Sequence, residues 1–252
     1  MPFVLISAPI YDRAWILEDW FESIENQDFR MENIGFQFEA GYDDEPTIEA
    51  LMEFHARHPE VRCFDISINK KETHVAHLEG QRMWKKDRYG IMANFRNNLL
   101  NRAICKSPDR LFSLDTDILL EDPTTISTLY QMSGNFDAVS PLCYMTPEGT
   151  DFPNTMTWGQ NGQGYRKSSY PLGSIFKSDI IMAVVMMSKK AFEKSRYFYH
   201  PQGEDLGWSL DCMAKNIQLY SASSVYTPHI MSRAALLNYK ENGDSRSPLL
   251  IK

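Results

Sequence analysis

From Val4 to Ile66 the apolar period of the chain changes repeatedly, and this constrains the fold more than any single motif does. Val4-Leu-Ile6 is a short apolar run, Trp15 to Ile24 carries apolar residues at helical spacing, and Ile34-Gly-Phe-Gln-Phe38 returns to strand alternation. Pro46 to His58 reads as a helix with its proline near the start and Pro59 at its end, and Val61-Arg-Cys-Phe-Asp-Ile66 as a third strand. Such a βαβαβ rhythm is most simply folded as a parallel sheet with right-handed crossovers and helices on both faces. A helix from about Met92 to Cys105 then leads into a buried strand at 111–114. The fold class is therefore α/β, with a Rossmann-like, mostly parallel central sheet. Ligands of such sheets bind beyond the carboxyl ends of the strands, where 7–13, 39–44 and 115–117 would lie.

The second half is patterned differently. Phe136 to Ser140 reads as a strand, whereas 149–173 is rich in Gly, Asn, Thr, Tyr and Ser and reads as a long loop containing Trp158 and Tyr165. A structureless stretch of that length is usually functional, which makes it a candidate lid facing an acceptor. Ile180 to Met187 follows as one buried strand, then helices around 189–195 and 206–215. Without an internal repeat or low-complexity linker, 1–252 reads as one domain with two functional halves, 1–123 and 124–252.

A net charge of -7 argues against broad electrostatic capture of nucleic acid. Cys63, Cys105, Cys143 and Cys212 are dispersed with no Cys-x-x-Cys pair, so buried reduced thiols are expected, with a cytosolic setting as the default. The opening apolar run has no basic leader and is too short for a signal peptide, and Ile180 to Met187 is too short to span a bilayer. No transmembrane segment is expected, and contact with a membrane would be peripheral.

Asp115-Thr-Asp117 ends the strand at 111–114. Residues two apart in a strand point the same way, so both carboxylates converge on one hard cation if extended geometry persists through Thr116. Alone, an Asp-x-Asp is more often a strand-to-loop corner. Lys70 to Arg102 holds eight basic residues against three acidic ones, an excess suited to phosphates. Arg96 is the foremost candidate there, ahead of Arg88 and Arg82, while Lys70, Lys71, Lys85 and Lys86 read as a solvated face.

Taken in order, five segments resemble a nucleotide-sugar-dependent glycosyltransferase of the GT-A fold. Ala8-Pro-Ile-Tyr-Asp-Arg13 is similar to the family's Thr-Pro-Thr-Tyr-Asn-Arg turn, which implies donor binding by Pro9, Tyr11 and Arg13, with Tyr11 near the base. Glu39 falls where the family has a base-contacting acid, although the usual Asp-Asp-Gly-Ser run is absent. Ala93-Asn-Phe-Arg-Asn-Asn-Leu-Leu100 is similar to the Ala-x-x-Arg-Asn-x-Leu helix signature and implies nucleotide binding by Arg96. Asp115-Thr-Asp117 would be the metal motif. Gly203-Glu-Asp205 and Thr227-Pro-His229 match the Gly-Glu-Asp element and the late, metal-ligating histidine. The family 2-like inverting enzymes are one relative. Fungal mannan-type mannosyltransferases, which would be retaining, are the other, through 9–12, 44–47 and 81–123.

The chemistry required agrees with those residues. Breaking the anomeric bond of a nucleoside-diphosphate sugar develops charge that a divalent cation neutralises. Asp117 is the first expected ligand and His229 the second, with Asp115 a ligand or the holder of the ribose. A histidine favours Mn²⁺ over Mg²⁺. Asp205, at a helix start beside Glu204, is the expected base for the acceptor hydroxyl, giving an inverting leaning. Trp158 and Trp208 are candidate sugar platforms. The acceptor would be a glycan or another hydroxyl compound, with nucleic acid disfavoured. The alternatives are a retaining mannosyltransferase-like enzyme, a non-catalytic sugar-nucleotide binder and a sugar nucleotidyltransferase. The last would require a glycine-rich phosphate loop with a lysine near the first strand, and 7–13 has no glycine.

Overall fold

The structure, a computed structural model, describes residues 1–69, 86–145, 152–166 and 170–246. Its first half is the expected alternation: β1 (Val4–Ile10), α1 (Leu17–Glu25), β2 (Ile34–Gly41), α2 (Glu45–Arg57), β3 (Cys63–Asn69), α3 (Lys86–Lys106) and β4 (Arg110–Leu114). Then come α4 (Thr125–Asn135), β5 (Ala138–Leu142), β6 (Thr155–Trp158), β7 (Gly164–Arg166), β8 (Ile175–Lys177), β9 (Ile180–Ile181) and β10 (Val184–Ser188). The chain continues through α5 (Lys189–Lys194), α6 (Glu204–Ala214), β11 (Leu219–Tyr226) and α7 (Arg233–Asn242).

Among the described residues the main sheet has eight strands in the order β3-β2-β1-β4-β10-β5-β11-β8. β1 is parallel to β2 and β4, β2 to β3, and β5 to β11. β10 runs antiparallel between β4 and β5, and β8 is an antiparallel edge. Strand alternation divides the apolar residues between two cores. Val4, Ile6, Phe112, Val184 and Met186 face one side with Trp20, Phe21 and Phe54, while Leu5, Leu111, Val185 and Met187 face the other with Leu100, Phe192 and Trp208. On the first side Leu17, Trp20, Phe21 and Ile24 of α1 are buried at the spacing of one helix face, and Phe21 stacks on Phe54 of α2 at 3.5 Å.

Three expectations are corrected. The stretch 149–173 is not structureless, since β6 and β7 form an antiparallel hairpin within it. Ile180 to Met187 is not one strand. Ala183 adopts a left-handed conformation (φ 66°), which splits the run into β9, paired with β6 in a second sheet, and β10 in the main one. The cysteines are all free, but only Cys143 and Cys212 are buried, with Cys63 half-buried and Cys105 exposed. Lys70, Lys71, Arg82 and Lys85 lie outside the described residues, as does the side chain of Lys86. No helix among the described residues is long and apolar enough to cross a membrane.

Candidate active site

β1, β2 and β4 end on the same edge of the sheet, so the loops that follow them meet. After β1 the chain turns at Asp12 in a left-handed conformation (φ 52°), which aspartate tolerates. Asp44, at the start of α2, accepts from the Asp12 N–H at 2.6 Å, and Thr47 Oγ1 accepts from the N–H groups of Arg13 and Ala14 at 3.0 and 3.2 Å. Sequence reasoning had placed Asp44 only near the mouth of the sheet and had not singled out Thr47, yet both fix this loop. Tyr11 is half-buried here, and its phenol is raised above the ordinary value by burial and by Asp43, Asp44 and Asp12. Held in this way, Arg13 reaches across to Asp117, Nη2 to Oδ2 at 3.1 Å.

The extended geometry of β4 does not persist through Thr116. The Asp115 N–H donates to the Ala183 carbonyl at 3.2 Å, and the Ile118 N–H donates back to the Asp115 carbonyl at 3.0 Å. A turn, rather than strand alternation, therefore sets the two carboxylates. Asp117 is 3% exposed and its carbonyl accepts from the Ile230 N–H at 2.7 Å, while the Leu119 N–H donates to the Pro228 carbonyl at 3.0 Å. This short bridge brings His229 to Asp117, Nε2 to Oδ1 at 3.5 Å. Nδ1 of His229 faces the Tyr144 carbonyl at 3.1 Å. A carbonyl only accepts, so Nδ1 carries a proton and Nε2 is the ring nitrogen that faces the carboxylate. An imidazole nitrogen beside a buried carboxylate oxygen is a ligand pair that suits a divalent metal. Among the described residues no three His, Cys, Asp or Glu side chains form a complete cage.

Opposite stands the start of α6. Gly203 takes φ 130°, a conformation that side chains rarely adopt, and delivers Glu204 and Asp205 to the first turn. Asp205 Oδ2 accepts from the Ala183 N–H at 3.3 Å, and its Oδ1 lies 3.9 Å from Arg96 Nε. The left-handed Ala183 thus holds Asp115 through its carbonyl and Asp205 through its amide. No local sequence signal marks this residue. The Asp205 carboxyl is pushed up to about 7, chiefly by burial, with the Arg96 charge working against it and Glu204 and Asp115 adding to it. Asp115 is likewise raised by burial against the Arg96 charge, and Asp117 raises it further. A carboxyl group that is protonated this readily at a cleft is suited to accepting a proton near neutrality.

Arg96 is 4% exposed and engaged by protein partners, donating to Asp115, Glu204 and Ser113 at 2.9, 3.1 and 3.3 Å. Glu39 is 2% exposed, and its carboxylate accepts from Asn98 and Arg102 of α3. Trp208 is fully buried and donates through Nε1 to Ser195 Oγ at 2.7 Å, so it is a core residue and not a sugar platform. Trp158 is half-buried at the end of β6, its ring edge-on to His200 at 5.8 Å. Gln202 pins β7 to the loop before α6 by exchanging hydrogen bonds with Gly164 at 3.0 and 3.2 Å. The hairpin thereby lies against the start of α6, with Gly164, paired to Trp158, close to Leu206. Pro9, near the end of β1, is half-buried beside Glu39.

No known protein-family model matches the chain. A glycosyltransferase 25 family member from Aedes aegypti is 23% identical over 154 residues, covering 56% of this chain and 23% of that protein. The chain thus spans less than a quarter of that curated relative. Among solved structures, the mannosyltransferase PcManGT from Pyrobaculum calidifontis in complex with GDP-Man and Mn²⁺ aligns with a TM-score of 0.60 at 14% identity, over 93% of this chain and 59% of that one. GalNAc-T7 with UDP, GalNAc and Mn²⁺ aligns with a TM-score of 0.64 at 14% identity, over 90% and 44%. S. aureus TarS in complex with UDP aligns with a TM-score of 0.58 at 11% identity, over 93% and 62%. The fold is that of GT-A glycosyltransferases.

Proposed function

We propose that this chain is a metal-dependent glycosyltransferase that moves a sugar, most simply a hexose, from a nucleoside-diphosphate donor to an acceptor hydroxyl. One observation carries the reading: Asp115, two residues before the Asp117 of the buried Asp117–His229 pair, shares Ala183 and Arg96 with the proton-seeking Asp205 at the carboxyl edge of the sheet. Neighbours of the same fold bound to GDP-Man or UDP, two of them with Mn²⁺, support it.

In this reading Tyr11 and Pro9 border the base, and the exposed edge of Asp115 faces the ribose. Asp117 and His229 would hold Mn²⁺, or Mg²⁺, which would supply charge neutralisation for the departing diphosphate. The acceptor oxygen attacks the anomeric carbon as the bond from that carbon to the phosphate oxygen breaks. The electron pair leaves with the nucleoside diphosphate, and the hydroxyl proton passes to Asp205. One base acting on one displacement would invert the anomeric centre, which is the outcome of the family 2-like alternative and not of the mannan-type one. Trp158 offers an aromatic face for a glycan acceptor.

Incubating the protein with a panel of UDP- and GDP-sugars and Mn²⁺, without acceptor, should release free sugar slowly from the preferred donor. Binding of a donor without any release, even with acceptors added, would identify a non-catalytic binder. Neither binding nor release from any donor would overturn the proposal.

A further inference from the structure

Three carboxyl groups converge on one guanidinium, and Arg96 engages them unequally. Asp115 and Glu204 each accept a charge-assisted hydrogen bond, at 2.9 Å from Nη2 and 3.1 Å from Nε. Asp205 lies 3.9 Å from Nε, beyond hydrogen-bond reach, and among the described residues its other oxygen takes one hydrogen bond, from the Ala183 N–H at 3.3 Å. The guanidinium cannot tilt freely toward Asp205. Nη1 donates to Ser113 at 3.3 Å, and the ring of Tyr197 lies 5.6 Å from the guanidinium carbon. Tyr197 is fixed in turn by Asn97, next to Arg96 on α3, whose side-chain amide exchanges hydrogen bonds with the Tyr197 backbone at 2.8 Å in both directions.

We propose that Arg96 is a positioning residue and not a nucleotide ligand: by hydrogen-bonding Asp115 and Glu204 while only facing Asp205, it leaves Asp205 as the one carboxylate of the three open to an acceptor's proton. The assignment of that proton to an acceptor rests on the transferase reading, but the unequal engagement does not. Among the described residues, the groups that interact electrostatically with Asp205 include Arg96 from α3, Glu204 beside it on α6, Asp115 beyond β4, the Tyr197 phenol and the Cys143 thiol. Burial pushes the phenol and the thiol far up, so both stay neutral, and Arg96 is the one cation among these groups. Without it Asp205 faces two like charges in a buried setting and must hold its proton more tightly.

The test follows the Asp205 carboxyl carbon by NMR in substrate-free protein with labelled aspartate, its resonance identified by its loss in Asp205→Asn. In Arg96→Gln the titration midpoint should rise by about one pH unit or more, from the removal of an opposite charge at this distance. Arg96→Lys should fall between the two, because an ammonium cannot span Asp115 and Glu204 as a planar fork does. UDP and GDP affinities in the presence of Mn²⁺, by calorimetry, should change less than threefold in both variants. An unmoved Asp205 midpoint in Arg96→Gln overturns the proposal, as does a tenfold or greater loss of nucleotide affinity. If Arg96→Gln does not fold, Arg96→Lys carries the same two readouts. Because the titration needs no substrate, an enzyme inactive with every donor would refute the transferase reading without touching this result.

Discussion

Gly207 lies in the second turn of α6, two residues past Asp205, and replacing it with alanine sets two physical terms against each other. In an open helix Gly→Ala stabilises by about 1 kcal/mol, because alanine has less backbone entropy to lose. Here a Cβ would fall far inside contact with the Phe198 carbonyl oxygen and 2.9 Å from its carbon. Those atoms are backbone and cannot rotate aside. Overpacking costs about 1–3 kcal/mol, and a rigid neighbour places this site at the upper end, leaving a net loss of about 2 kcal/mol. For a domain of this size that corresponds to a fall in Tm of about 4–8 °C. Gly90 in α3 is the control, since nothing lies within 4 Å of a Cβ built there. Gly90→Ala should raise Tm by a few degrees at most, from propensity alone. Thermal melts of the two variants and the parent decide the matter. A Gly207→Ala protein as stable as the parent would refute the claim that the close approach of 198 to α6 fixes that helix. Donor hydrolysis should fall with Tm in Gly207→Ala, because relieving the clash displaces Asp205.

Other perturbations have clear expected outcomes. Asp205→Asn should abolish sugar transfer while leaving nucleotide affinity nearly unchanged; surviving turnover would rule out the base assignment. The same variant should be more stable than the parent at pH 8, where the native carboxyl, raised to about 7, pays for its buried charge. That gain should vanish at pH 4, where the folded carboxyl is neutral, so urea unfolding at both values checks the sign. His229→Ala should weaken Mn²⁺ binding at least tenfold by calorimetry in the presence of UDP or GDP, and unchanged binding would remove His229 from the metal site. Asp244 accepts from Tyr226 Oη at 2.6 Å and from Arg246 Nε and Nη2 at 2.8 Å each, and these bonds outweigh burial to hold its carboxyl below the ordinary value. Asp244→Asn should therefore cost about 2 kcal/mol at pH 7. In the parent this contribution is present above the unfolded carboxyl range and is lost as the pH falls through the lower folded value, which acid titration of stability in the two proteins would show.

The alternation of strand and helix over 1–114, the acidic pair after β4, and the glycine before Glu204 were all legible in the sequence, because period and turn chemistry are local properties. Which way a polar side chain faces was not. Arg96, Glu39 and Trp208 each match a residue expected at a donor or acceptor surface, yet each is buried against a partner from another element: Glu204, Arg102 and Ser195, 108, 63 and 13 residues away. The hairpin of β6 and β7 was hidden because its short strands carry loop-like composition, and their pairing supplies order that propensity does not. The break at Ala183 was hidden as well, inside an apolar run that reads as one strand. The sequence alone thus determined an α/β chain with acidic residues gathered at one edge of a sheet. The tertiary structure decided which of them share a guanidinium, which face a histidine and which is left to take a proton, because burial and charge pairing depend on contacts between elements, from 19 residues apart for Arg96–Asp115 to 108 for Arg96–Glu204, that no local pattern encodes.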